Sequence, residues 1–215
     1  MRIILMGPPG VGKGTQARYL RDHLKVPHVS TGDILREAVH GGGLLGRKVR
    51  PFLEAGQLVP EDLMGDLVRE RLAREDARKG FVLDGFPRTV EQVGTLERVL
   101  GQLGVAIDRA FVLVVPEAEV VRRLSGRRVC PRCGTVFHLE SRPPAAAGVC
   151  DGCGSALVQR ADDQEAVVRN RLAVYREQTL PVVRAYRERG LAWEVDGTGE
   201  MQDVRERLRQ GLGGL

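Results

Sequence analysis

The 215-residue sequence is poor in aromatics, which make up 4% of it, and poorer still in lysine: of 33 basic residues, all but Lys13, Lys25, Lys48 and Lys79 are arginine. So few aromatics leave little from which to build stacking platforms for single-stranded nucleic acid. No run is long and apolar enough to cross a bilayer, and Ile3-Ile4-Leu5-Met6 is too short for the core of a secretory signal. A cytoplasmic protein with no membrane partner is the expectation. Cysteine is missing except from one short segment that holds Cys130, Cys133, Cys150 and Cys153, which in a reducing compartment suggests metal rather than disulfides. No internal repeat or exposed heptad seam is visible, so a monomer is expected.

What is present is charge of one sign. A net charge of +5 invites an anionic partner, whether nucleic acid, a membrane surface or a phosphorylated small molecule, and the sign alone does not choose among them. The arginine bias has a bland reading, the base composition of the genome, beside a chemical one, since forked guanidinium groups suit phosphate.

The opening MRIILMGPPGVGKGT reads as strand, glycine loop and helix, with a β-rich run over Arg2 to Met6 and helical apolar spacing at Ala17, Leu20 and Leu24. Gly7, Gly12 and Lys13 match a phosphate-cradling loop, whose backbone N–H groups hold phosphates while the lysine reaches the outer ones. The serine or threonine expected after the lysine is displaced: Gly14 stands there and Thr15 comes one place late. A magnesium ion would then be held through water by a carboxylate. Asp84, closing Phe81-Val82-Leu83, is one candidate and Asp33 another. Further apolar runs at Ala110 to Val115 and Leu191 to Val195, separated by helix-like stretches, predict a parallel sheet covered by helices on both faces. Two segments break the alternation: Thr31 to about Arg78, helical throughout with turns at Gly41 to Gly43 and at Gly56, and Arg127 to Asp163, rich in Gly, Pro and Cys.

GPPGVGKGT, Ser30-Thr31-Gly32-Asp33, Phe81 to Arg88, Gly126-Arg127-Arg128, Gln159 to Asp163 and Val195-Asp196-Gly197-Thr198 follow one another over essentially the whole chain. Together they resemble adenylate kinase, a family whose loop itself carries Gly-Lys-Gly-Thr. The resemblance implies an α/β fold, a P-loop parallel sheet flanked by helices, with a core of residues 1–29, 60–125 and 164–215. It also implies an AMP-binding helical insert over 30–59 and a zinc-bearing lid of the long bacterial type over 126–163. It implies magnesium-dependent phosphoryl transfer from ATP to AMP, giving two ADP. ATP would be held by Gly10, Val11, Gly12, Lys13, Gly14, Thr15, Arg123, Arg127, Val136, Phe137 and Gly199. AMP would be held by Thr31, Arg36, Gln57, Leu58, Val59, Gly85, Phe86, Arg88, Gln92, Arg160 and Arg171, with Gln92 reading the adenine edge. Lys13, Arg88, Arg123, Arg127, Arg160 and Arg171 would be the catalytic cations.

Such a reaction needs positioning and charge neutralisation more than covalent chemistry. It needs no general base, because a phosphate monoester loses its second proton near about pH 6. The spacing Cys130-x-x-Cys133, sixteen residues, Cys150-x-x-Cys153 suits a closed tetrahedral site of four thiolates, hence structural zinc without His138. Val129, Val136, Phe137, Leu139, Val149, Leu157 and Val158 are the expected core of that segment. Asp162 and Asp163 read either as a cap and first-turn acid of the helix that follows or as partners of Arg127. Ala161 and Phe137 depart from basic and tyrosine residues common in the family, which bears on donor selectivity. Two rivals stand beside this reading. One is a UMP- or CMP-directed kinase of the same fold, whose short lid would lack the cysteines. The other is a zinc-ribbon nucleic-acid binder, poorly served by Phe137 as the sole aromatic between 127 and 163.

Overall fold

The computed structural model describes residues 1–213. A five-stranded sheet forms its centre, with β1 (Arg2–Met6) in the middle, β3 (Phe81–Asp84) and β2 (His28–Ser30) to one side, and β4 (Arg109–Val114) and β7 (Ala192–Asp196) to the other. All its pairings are parallel. The apolar runs are continuous because alternate residues feed two different cores. Ile4, Met6, Leu83 and Val112 pack on one face beneath α2 (Thr31–Gly41), α3 (Leu44–Ala55), α4 (Glu61–Leu72), α5 (Val90–Gln102) and α8 (Leu180–Glu188). Ile3, Leu5, Val82, Phe111 and Leu113 pack on the other beneath α1 (Lys13–Leu24), α6 (Glu117–Ser125), α7 (Glu165–Val174) and α9 (Met201–Leu212). β2 has no counterpart in the sequence reading: it is a three-residue edge strand in which Val29 alone is fully buried, too little for a periodic signal.

The two segments that interrupt the alternation leave the same end of the sheet. Ser30 caps α2 by accepting from Asp33 N at 3.2 Å, which starts the helical stretch directly at the end of β2. The cysteine-rich segment forms a small antiparallel pair, β5 (Arg127–Val129) with β6 (Val136–His138). Its core is smaller than the sequence reading expects. Phe137, Cys130 and Cys150 are buried with Cys153 and Leu157 against them, whereas Leu139, Val149 and Val158 are exposed. A lobe this thin has one inner layer, and two of its four thiols, Cys130 and Cys150, are buried in it, whereas Cys133 is exposed.

The helix that follows begins at Glu165 with Gln164 at its cap and no side-chain capping bond. The capping role considered for Asp162 and Asp163 is therefore not found, since both lie in the preceding turn and pair with arginines. Between α7 and α8 the chain widens into a π turn over Tyr175–Thr179, next to Pro181, which has no N–H to continue an α-helical ladder.

Candidate active site

At the end of β1 the chain turns through the glycine loop and enters α1 at Lys13. Gly12 is the cap residue, at φ 103° where a side chain is strained, and a Cβ there would meet no atom within 4 Å. Thr15 N and Gln16 N donate to Gly12 O at 3.0 and 3.1 Å, and the N–H groups of Lys13 and Gly14, at the very start of α1, have no acceptor within the helix. Lys13 Nζ donates to Gly7 O and Pro8 O, at 2.8 Å each. Burial lowers its pKa to about 7; Asp84 works against that shift, while Arg88, Arg171 and Arg127 add to it. The ammonium and three guanidinium groups thus point their fields at one place.

Asp84 closes β3 directly beneath the loop. A Cβ on Gly14 would stand 3.7 Å from Asp84 Oδ2, so the position of the missing hydroxyl faces this carboxylate. Burial is the largest influence on Asp84 and opposes ionisation, but His28, Lys13 and Arg88 in concert outweigh it and hold the pKa below the usual carboxylate range. His28 Nε2 is buried and stands 3.5 Å from Asp84 Oδ2 without a bond of good geometry.

A cavity opens between the start of α2, the end of α3 and the turn after β3. Thr31, Arg36, Gln57, Leu58, Val59, Gly85, Arg88, Gln92 and Arg171, expected from sequence as one set, line it together with Asp162. Thr31 Oγ1 donates to Gly85 O at 2.9 Å. At φ 86°, a Cβ on Gly85 would lie 2.7 Å from Thr31 Oγ1 and 2.8 Å from Arg88 Nη2, so a side chain there would displace both. Arg88 Nε donates to Gly85 O at 2.7 Å, and Arg88 N donates to Gln92 Oε1 at 2.8 Å, which leaves the Gln92 amide N–H groups for a ligand. Burial and then the neighbouring Arg171 push the Arg88 pKa down to about 10. Of the same expected set, Arg160 and Phe86 do not line the cavity, and Phe86 lies in the core. Leu35, Leu53 and Met64 line it without having been anticipated; their helical spacing marks them as apolar and says nothing of a pocket.

On the far side of the loop, Arg123 donates through Nη1 to Val11 O at 3.2 Å and through Nη2 to Gly197 O at 3.0 Å. Arg127 meets the fully buried Asp163 with two bonds, Nε to Oδ2 at 2.7 Å and Nη2 to Oδ1. Arg171 Nη1 donates to Asp162 Oδ2 at 2.9 Å. Burial and then Arg36 and Arg127 depress the Arg160 pKa to about 10. Arg36 is joined to Asp33.

A family model described as adenylate kinase matches residues 5–191. The chain belongs to the adenylate kinase family. It is 49% identical to an adenylate kinase of Moorella thermoacetica over 99% of this chain and 98% of that one. It is 48% identical to an adenylate kinase of Methanocella arvoryzae, covering 95% and 94% of the two chains. It is also 48% identical to one of Kosmotoga olearia over the full length of both.

Within this member of the adenylate kinase family the cysteine-rich lobe holds a metal-ready cluster. The Sγ atoms of Cys130, Cys133, Cys150 and Cys153 all lie within 4.8 Å of one another. The Cys130–Cys153 and Cys133–Cys150 separations are 3.4 and 3.5 Å. A tetrahedron with metal–sulfur distances of about 2.3 Å has edges of roughly 3.8 Å, so the four thiols fit a metal with modest adjustment. His138 stands apart from it, its Nδ1 accepting from Glu140 N and Ser141 N at 3.1 Å.

Proposed function

We propose that the protein catalyses reversible, magnesium-dependent transfer of the terminal phosphoryl group of ATP to AMP, giving two ADP. The observation that carries this reading is the convergence of Lys13, Arg88, Arg127 and Arg171 at the glycine loop, beside a cavity lined by Thr31, Gln92 and Arg36. In this reading residues 30–59 form the AMP lobe, 126–163 the lid, and 1–29, 60–125 and 164–215 the core. An anionic oxygen of AMP attacks the terminal phosphorus, the bond to the bridging oxygen breaks, and the electron pair leaves with ADP. No proton needs removing from the nucleophile. The chain's work is to align the two nucleotides and neutralise the charge between them.

Lys13 follows the transferring group, and the backbone of Gly10 to Thr15 cradles the donor's phosphates. Arg123 and Arg127 hold the donor with Val136, Phe137 and Gly199 near its nucleoside. Arg36, Arg88, Arg160 and Arg171 take the acceptor's phosphate. Gln57, Leu58, Val59 and Gln92 surround the acceptor's base. Magnesium entering with ATP supplies further charge neutralisation; Asp84, ionised beneath Gly14, is the residue to hold its waters, with Asp33 as the second carboxylate. Zinc is the ion that four thiolates in a closed site favour, and it serves the lid's shape. We further propose a cytoplasmic monomer that binds neither nucleic acid nor membrane, supported by the poverty in aromatics. No helix among the described residues is long and apolar enough to cross a membrane.

The test is incubation of purified protein with magnesium, ATP and each of AMP, GMP, CMP and UMP, followed by separation of the products. ADP formed fastest with AMP is the expected result. Faster turnover with UMP or CMP would overturn the acceptor assignment.

A further inference from the structure

We propose that Glu119 is a positioning residue for the donor nucleotide, acting by fixing the Arg123 guanidinium against the glycine loop. The proposal rests on the functional reading above, in which Arg123 faces the donor.

Glu119 lies in the first turn of α6, where the helix dipole favours a carboxylate, with Arg122 and Arg123 three and four residues on and so on the same face. Its Oε1 accepts from Arg123 Nε at 2.7 Å and from Arg122 Nη2 at 2.9 Å, and its Oε2 accepts from Arg122 Nε at 2.9 Å. Arg122 in turn reaches Glu140 Oε2 at 2.8 Å. The Arg122 bonds, followed after burial by those of Arg123, hold the Glu119 pKa near about 2, so the group is ionised wherever the protein is assayed.

Ion pairs along a helix are common, and most do little. Two observations separate this one from the rest. Arg123 is not an arm in solvent: its remaining nitrogens are bonded to Val11 O in the glycine loop and to Gly197 O at the end of β7. Glu119 therefore supplies the third corner of a frame that fixes the plane of the guanidinium. The degree of exposure also differs. The side chains of Glu119 and Arg123 are 24% and 23% exposed, whereas those of Arg122 and Glu140 are 49% and 69% exposed. Screening weakens the outer pair and spares the inner one. The fold of α6 has its own support in the fully buried Val120 and Leu124, so the ion pair is not what keeps the helix in place.

The test is steady-state kinetics of the full chain. Glu119→Gln keeps the shape and removes the charge. It is expected to raise KM for ATP about five- to tenfold while KM for AMP stays within about twofold, because one charge-assisted bond to Arg123 is weakened. In an Arg123→Ala background the same change should have almost no effect on KM for ATP, since the residue acts through a side chain that is gone. Glu119→Asp, which retains the charge, serves as a second variant if Glu119→Gln lowers the melting temperature. An unchanged KM for ATP would overturn the proposal, as would equal rises for ATP and AMP or equal rises in both backgrounds. If the wild-type protein makes no ADP from ATP and AMP, the functional reading fails and takes this proposal with it; if it does, these variants judge Glu119 alone.

Discussion

Lys13 shows how one residue carries both the site's chemistry and its pH dependence. Burial and three nearby guanidinium groups bring the ammonium to a pKa of about 7 in the ligand-free protein. A phosphate laid against it favours the charged form and raises that pKa. The sign follows directly: at pH 8 the free protein holds Lys13 mostly neutral and the complex holds it charged, so ATP binding takes up a proton. Calorimetry at pH 8 in buffers of different ionisation enthalpy should show uptake approaching one proton, and ATP affinity should fall as pH rises above 7. Independence from buffer would refute this account of Lys13. Lys13→Ala should abolish the uptake and lower kcat by about 10²–10³ with the fold intact, because charge stabilisation at the transferred group is lost. Lys13, Asp84 and Arg88 were legible in the sequence because motif and position at a strand's end fix them together. Glu119 and His28 were not, although the spacing of Glu119 to Arg122 and Arg123 lies in plain view. Helical spacing says that charges can pair and leaves open what else they hold.

At the scale of elements, four of the five strands of the sheet could be read from their apolar runs, the short edge strand β2 could not, and the helical segment could be read from its glycine turns. The cysteine-rich lobe could be read from its ligand spacing but not from its hydrophobic pattern. Val149 and Val158 sit in isolated bridges of a lobe one layer deep, so alternation there does not report burial. So small a core is not expected to hold its shape alone. In the proposed reading a metal held by the four thiolates would supply the difference, structural zinc in small modules being worth on the order of 10 kcal/mol in apparent terms at neutral pH. One metal ion per chain, zinc, is expected by elemental analysis. Cys153→Ser should lower the melting temperature while some turnover survives at low temperature, since Arg127 and Arg160 lie outside the cysteine cluster. Stripping the metal and losing turnover, with the lobe's order and melting temperature unchanged, would show the metal to be catalytic instead.

For the whole molecule the decisive feature is where the lobes meet, which no stretch of sequence displays. The order β2-β3-β1-β4-β7 brings the ends of β1 and β3 together, and Asn170 of α7 donates to Ala55 O of the helical segment at 2.6 Å. Arg88, Arg127 and Arg171 thereby act on Lys13, and Arg36 and Arg160 act in turn on their neighbours in the same group. Their carboxylate partners, Asp33, Asp84, Asp162 and Asp163, number fewer than the cations. Arg160, like Arg88, has no carboxylate within ion-pair range among the described residues, and Asp162 and Asp33 act on it only at a distance. Burial and the other guanidinium groups depress its pKa, which means that holding the charge there costs the folded state. Discounting for solvent screening, relief of that cost is worth about 1–2 kcal/mol. Arg160→Met should thus raise the melting temperature of the ligand-free protein by about 2–6 °C. The same change should lower kcat/KM for AMP at least about tenfold, because the repulsion that destabilises the free protein is what an incoming phosphate neutralises. Scanning calorimetry and kinetics on that variant test both halves. A melting temperature that falls while kcat/KM holds would mean that Arg160 serves the fold and not the nucleotides.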